Sequence, residues 1–138
     1  MMKTGHDIQD EIYGLLKYSA LENAVSGEVY KNGYRPRDSR LEDIVVTFTQ
    51  STAGQIQEGI VTVNVYVPDI DPYNNGVWVE DGARTAELEH SVLRWFERID
   101  RSSTDLRLEA ERPPFTMEDS GARQHFVTLR VRFMYLDN

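Results

Sequence analysis

The run QHFVTLRVRFMYL, Gln124–Leu136, constrains the fold more than any other stretch of the chain. Side chains on a strand alternate with a period of two. Val127, Leu129, Val131, Phe133 and Tyr135 therefore share one face, and Phe126, Thr128, Arg130, Arg132 and Met134 share the other. The first face is a core. The second sets two arginines between a phenylalanine and a methionine, too polar for a core and too apolar for an ordinary wet surface.

The other segments supply what such a strand needs. Glu42–Gln50 and Gly59–Val67 are β-branched and alternating, and the polar STAGQIQE between them reads as a hairpin loop. Val61, Val63, Val65 and Val67 would join the apolar face of the last strand. Thr62, Asn64 and Tyr66 would share the opposite face with Arg130 and Arg132. Ile8, Ile12, Leu15 and Leu16 recur at helical spacing over Asp7 to about Tyr18, with Thr4 or Asp7 as the cap. Thr85–Asp100 is the clearest helix, with Leu88, Val92, Trp95, Phe96 and Ile99 as one apolar stripe. A brief strand fits Glu28–Lys31, another fits Leu106–Glu111, and PPFTMEDSGA reads as a loop. This order predicts an α+β fold, a mostly antiparallel sheet of about four to five strands with two helices packed on one face. The other face of the sheet is expected to be uncovered.

A chain of 138 residues is near the commonest size of one domain, so residues 1–138 are read as a single unit. With no cysteine, neither a disulfide nor a thiolate metal site can hold it together. The start of the chain lacks the apolar stretch of a signal peptide, and no run approaches the roughly 20 apolar residues of a membrane span. A soluble protein made in a cytoplasm, with no membrane partner, is the expectation. The net charge of −8 is uneven: residues 1–58 carry six basic and nine acidic side chains, residues 59–100 three and eight, and residues 101–138 six of each. A protein that grips DNA normally has a basic footprint that displaces counterions from phosphates, so sequence-specific nucleic-acid binding is not expected. The local exception is KNGYRPRDSR, residues 31–40, which contains Arg35 and Arg37 and reads as a solvated, turn-rich loop.

The chemistry-bearing residues assemble into no familiar site. Glu87 and His90 form one E-x-x-H, but a di-metal bundle needs a second such pair and further glutamates. Asp69, Asp71 and Glu80 occupy the first, third and twelfth positions of a calcium loop, yet Asn74 stands where the sharp turn needs glycine and no helix precedes Asp69. No metal or other cofactor is therefore expected. There is no phosphate loop, dinucleotide fingerprint or nucleophile elbow. The long connection after Pro68, DIDPYNNGVWVEDGAR, has turn signals at Asp71-Pro72 and Asn75-Gly76, and a loop of that length usually has a job. Trp78 within it, and Phe115 after Pro113-Pro114, are each either a plug at the edge of the core or an exposed anchor for another protein.

Taken together, DEIYGLLKYSALENAVSGEVY, YRPRDSR, EDIVVTF, GIVTVNVYVPD, ELEHSVLRWFERI and HFVTLRVRFMYL resemble, in order, length and texture, the small tail-terminator and tail-completion proteins of long-tailed bacteriophages and prophages. The resemblance spans nearly the whole chain and contains no diagnostic motif. It implies a non-enzymatic α+β subunit of the virion that forms a ring, commonly a hexamer, at the head-proximal end of the tail. Such a ring terminates the tail tube and joins it to the head, so the implied partners are further copies of the chain, the tail tube protein and head-completion or connector proteins. Assembly would take place in the bacterial host cytoplasm. The candidate subunit-interface residues come from the chain itself: Phe126, Arg130, Arg132 and Met134 on the second face of the last strand, Asp69, Asp71 and Trp78 in the long loop, and Arg35 and Arg37 in the basic connection. Arginine suits this role, because its stem covers apolar surface while the guanidinium pairs with a carboxylate. Two other readings compete. One is a ligand-binding or enzymatic domain with a pocket between the helix at 85–100 and the loop at 68–82, where Asp69, Tyr73 and His90 would converge. The other is a bacterial adaptor that binds a different chain through the open sheet face.

Overall fold

The computed structural model describes residues 1–52 and 54–136. Helix α1, Gly5–Leu16, opens with a capping box in which Thr4 accepts from the Asp7 amide and Asp7 accepts from that of Thr4. Its Ile8, Ile12 and Leu16 are fully buried. The chain then turns through Tyr18, held at a positive φ of 63°, into a one-turn helix, α2, Ala20–Ala24. The sequence reading carried the first helix on to Tyr18 and had no second one. Five residues are too few to show periodicity, and α2 is held by side-chain bonds instead. Ser19 caps it, and the Glu22 carboxylate accepts from the Tyr18 amide at 2.7 Å, Lys17 Nζ at 3.0 Å and the Val29 amide at 3.2 Å.

Strands β1 (Val29–Lys31), β2 (Ile44–Ser51) and β3 (Ile56–Pro68) follow, then helix α3 (Gly82–Glu97) and strands β4 (Arg107–Ala110), β5 (Phe115–Asp119) and β6 (Gln124–Leu136). The six strands form one sheet in the order β1-β2-β3-β6-β4, with β5 also on β6. Among the described residues, only the β1–β2 pair is parallel. Strands β3 and β6 pair along their whole length, with Val61 opposite Val131, Val63 opposite Leu129 and Val65 opposite Val127. Both strands thus turn one apolar face to the helices, as the alternation predicts. Helices α1 and α3 lie on that face and meet each other, where Trp95 Nε1 donates to the Leu15 carbonyl at 3.0 Å.

Two details of the sheet depart from expectation. The hairpin loop is shorter than STAGQIQE, because β3 begins at Ile56; Ala53 in that loop lies outside the described residues. A bulge between Phe48 and Gln50 lets β2 pass Gly59, where a Cβ would collide with the Gln50 carbonyl and the Phe133 ring. The segment read as a loop, PPFTMEDSGA, contains β5. Strand β6 is long enough to host two short neighbours on one side, β5 on its first half and β4 on its second, with Pro113 and Pro114 interrupting the edge between them. Helix α3 begins three residues earlier than predicted, because Asp81 caps it by accepting from the Arg84 amide. The stripe itself is as predicted, with Leu88, Val92, Trp95 and Phe96 buried and Ile99 packed against the core just past the helix.

Candidate interaction surface

Among the described residues, no helix lies over the second face of β3 and β6. Thr62 stands opposite Arg130, Asn64 opposite Thr128 and Tyr66 opposite Phe126, as the sequence reading supposed for neighbouring strands. The Tyr66 and Phe126 rings lie 5.5 Å apart. Phe115 and Met117 of β5 extend this apolar band to the sheet edge, and Arg112 covers Phe115 at 4.5 Å from the ring centre. A shallow groove of about 400 Å³ runs across the band, between Thr62, Asn64, Phe115, Met117 and Arg130.

The two arginines have carboxylates within their own chain. Arg132 Nη2 donates to Glu58 at 3.4 Å, and Arg130 Nε sits 3.1 Å from Glu111 without the alignment of a hydrogen bond. Both pairs are close to half exposed, a setting in which an ion pair contributes about 0–1 kcal/mol. Met134 flanks them, opposite Arg107 of β4 and Glu58 of β3.

The basic connection is not the solvated loop its composition suggests. Arg35 folds back over one end of the open face, its guanidinium 4.3 Å from the centre of the Tyr66 ring. It donates to the fully buried Asp43 at 2.9 Å and to Gln124 at 3.2 Å, and Gln124 in turn donates to Asp119. Ser39 and the Glu28 amide also donate to Asp43. Gly27 is required beside it, since a Cβ there would strike the Asp43 carboxylate. Arg40 donates to the carbonyls of Ala122 and Arg123 in the β5–β6 turn. Of the two candidates in this segment, Arg35 is thus occupied within the domain and Arg37 is exposed. Desolvating Asp43 is costly, and the charged, multiply bonded arrangement offsets that cost.

The long loop is a small closed arm. Ile70 and Val79 exchange both backbone hydrogen bonds at 2.9 Å. The Asp71 carboxylate accepts from the amides of Asn75 and Gly76, and Asn75 accepts from that of Val77. Gly76, at a φ of +80°, makes the turn possible. Asp69 anchors the base through His125 Nδ1 at 2.7 Å, with Glu80 3.6 Å from the other ring nitrogen of His125. Glu80 also accepts from Thr85 Oγ1. The carboxylates at the calcium-loop positions are therefore spent on the loop, on a histidine and on α3. Trp78 is no core plug. It is 40% exposed, with Arg123 resting 5.1 Å from its ring, and Ile70, Tyr73, Val77 and Val79 are exposed beside it.

Asp69, Tyr73 and His90 do not converge: Asp69 is bound to His125, Tyr73 is 83% exposed, and His90 faces outward on α3. A groove of about 450 Å³ lies elsewhere, between α1–α2 and the second half of α3. Glu87 binds Arg84 at 3.0 Å. Among the described residues, no group of three or more His, Asp or Glu side chains is placed to hold a metal ion, and no helix is long and apolar enough to cross a membrane.

Arg84 is a residue that sequence reasoning missed. It grips Glu42 through two nitrogens at 2.7 and 2.8 Å and also donates to the Ala24 carbonyl, tying the start of α3 to α2 and to the approach to β2. The Glu42 carboxylate raises the guanidinium's already high pKa further. Only the position of an arginine in the first turn of a helix, where the dipole disfavours a cation, hinted that it had another purpose. No family model matches the sequence, and no curated protein matches it.

Proposed function

We propose that this chain is a non-enzymatic, self-assembling subunit of a phage or prophage virion, forming a ring at the head-proximal end of the tail. The ring would terminate the tail tube and join it to the head, with the tube protein and a head-completion or connector protein as its other partners. The observation that carries the self-assembly is the second face of β3 and β6. It is a band of Tyr66, Phe126, Phe115 and Met117 bordered by Arg130, capped only at its ends by Arg35 and Arg112 and with no helix among the described residues above it. Aromatic, methionine and arginine side chains are the types enriched where proteins meet. The tail-end location rests on the resemblance in element order and texture. The net charge of −8 suits a conduit that must let DNA pass without holding it.

The test is the mass of the purified chain by light scattering after size exclusion, over rising concentration, followed by negative-stain imaging. Rings of uniform diameter from this chain alone are the expected result. A monomer at every concentration would overturn the reading, and assembly only on addition of a different bacterial protein would replace it with an adaptor.

A further inference from the structure

We propose that the arm at residues 69–81 of one copy docks into the groove between α1–α2 and the second half of α3 of the next copy, joining the subunits head to tail. This rests on the self-assembly reading above and adds to the open sheet face a second contact, without which copies of the chain do not stay together.

The arm has the properties of a preformed ligand. Its base is closed by the Ile70–Val79 bonds and its tip by Asp71 and Asn75, so little conformational freedom remains to be lost on binding. It nonetheless exposes Tyr73 (83%), Val77 (58%), Val79 (42%) and Trp78 (40%) together. A chain that builds so many bonds around exposed apolar side chains presents them to something.

The groove has complementary properties. Its walls are Leu15 of α1, Ala20 and Ala24 of α2, and Trp95 of α3, and its volume of about 450 Å³ falls within the roughly 300–1,000 Å³ of clefts that bury a small-molecule ligand, room enough for two or three side chains of the arm. Arg94 and Arg98 stand exposed on its rim, and neither has an ion pair among the described residues. Asp100 also borders it, but Ser102 occupies that carboxylate through both its amide and its hydroxyl. The arm opposes this rim with the carboxylate at its tip, Asp71, and with half-exposed Glu80 at its base, Asp69 being turned in to His125 and Asp81 capping α3; the arm itself contains no basic residue. Acidic arm and basic groove therefore match in charge as well as in apolar character, which steers one toward the other. The sheet-face arginines offer less, since Glu58 and Glu111 already stand beside them.

Placement explains why the contact joins different copies. The arm runs into the first turn of α3, and the groove lies along the helix's last turns. The helix is roughly 24 Å long at 1.5 Å per residue, so the two surfaces sit toward opposite ends of it. A contact between two unlike patches is heterologous, and repeating it closes a ring when the rotation permits.

Two variants and their mixture test this. Tyr73→Asp with Val77→Asp spoils the arm and leaves the groove; Ala24→Glu with Arg98→Glu spoils the groove and leaves the arm. Each alone should lose assembly and stay a folded monomer, because all four side chains are exposed. An equimolar mixture should form a one-to-one dimer that does not grow, since one good arm meets one good groove. Assembly of either variant alone at the wild-type concentration, or a mixture that stays monomeric, would overturn the contact while leaving the ring reading intact. A wild-type chain that never assembles would remove both. Should a double variant melt early, Tyr73→Ser alone and Arg98→Glu alone carry the same test.

Discussion

Strands β3 and β6 have the same partners and the same length on both faces, yet the two faces behave as different materials. On the helix side, Val61, Val63, Val65, Val127, Val131 and Phe133 are completely buried. On the other, Thr62, Asn64 and Tyr66 face Arg130, Thr128 and Phe126; of these six only Thr128 is buried, joined on that face by Ile60 and by Val45 of β2. Each buried apolar side chain contributes about 1.5–3 kcal/mol, so the helix side holds the domain together. The open side buries less, and its half-exposed side chains are free to be chosen for contact. The difference arises from one layer of helix, not from the backbone, which is the same hydrogen-bonded ladder for both.

Neighbouring residues give the sharpest test of that contrast. Val63→Asp places an unpaired carboxylate in the dry face, at a cost of several kcal/mol, comparable with the whole stability of a small domain. Thr62→Asp, one residue away, puts the same carboxylate opposite Arg130 and should change stability by less than about 1 kcal/mol. Thermal melts of the two variants should differ between no cooperative transition and a nearly unchanged one. A cooperative, soluble Val63→Asp protein would break the assigned register.

The buried charge at the end of the open face comes next in size. Asp43→Ala strands Arg35 against Tyr66 without its carboxylate, and breaking one side of a buried pair costs about 3–5 kcal/mol. The melting temperature should fall far more than it does for Arg37→Ala, whose side chain is exposed. Equal, small effects would return the whole 31–40 segment to the status of a solvated loop.

Acid should act through Glu22. Burial pushes its carboxyl up, but the bonds from the Tyr18 amide, Lys17 and the Val29 amide outweigh this and hold it below its ordinary value. A lowered folded-state pKa means the stabilisation is complete above the ordinary carboxylate range, around pH 4.3 and higher, and is lost as pH falls through the folded value. Glu22→Gln should flatten that part of the stability profile against pH; an unchanged acid limb would show that other carboxylates set it.

On the open face itself the effect on folding should be small and the effect on assembly large. Arg130→Glu with Arg132→Glu sets like charges beside Glu111 and Glu58, exposed contacts worth about 1 kcal/mol or less each. The monomer should remain folded and the ring should be weakened or lost. Loss of the folded monomer would place this face inside the stabilising core after all. The smallest expected effect is that of a chelator, which should leave the melting temperature unmoved; a clear drop would revive Asp69, Asp71 and Glu80 as a cation site.

Alternation with period two and helical stripes were enough to read, from the sequence alone, which side chains build the core, where β6 and α3 lie and that the sheet is open on one side. Those are local patterns, repeated over enough residues for burial to impose them. Four features were decided only in three dimensions. Strand β5 is too short and too polar to announce itself, and exists because β6 has an unpaired side long enough to receive it. Helix α2 depends on Ser19 and Glu22 bonds rather than on a periodic face. Arg35 became a buried clamp because Asp43, Tyr66 and Gln124, distant in sequence, converge on it. The acidic loop became an arm because His125, at the start of the last strand, holds its base. In each case the deciding partner lies across the chain, and pairing at such distances follows from how the layers stack, which composition and spacing do not encode.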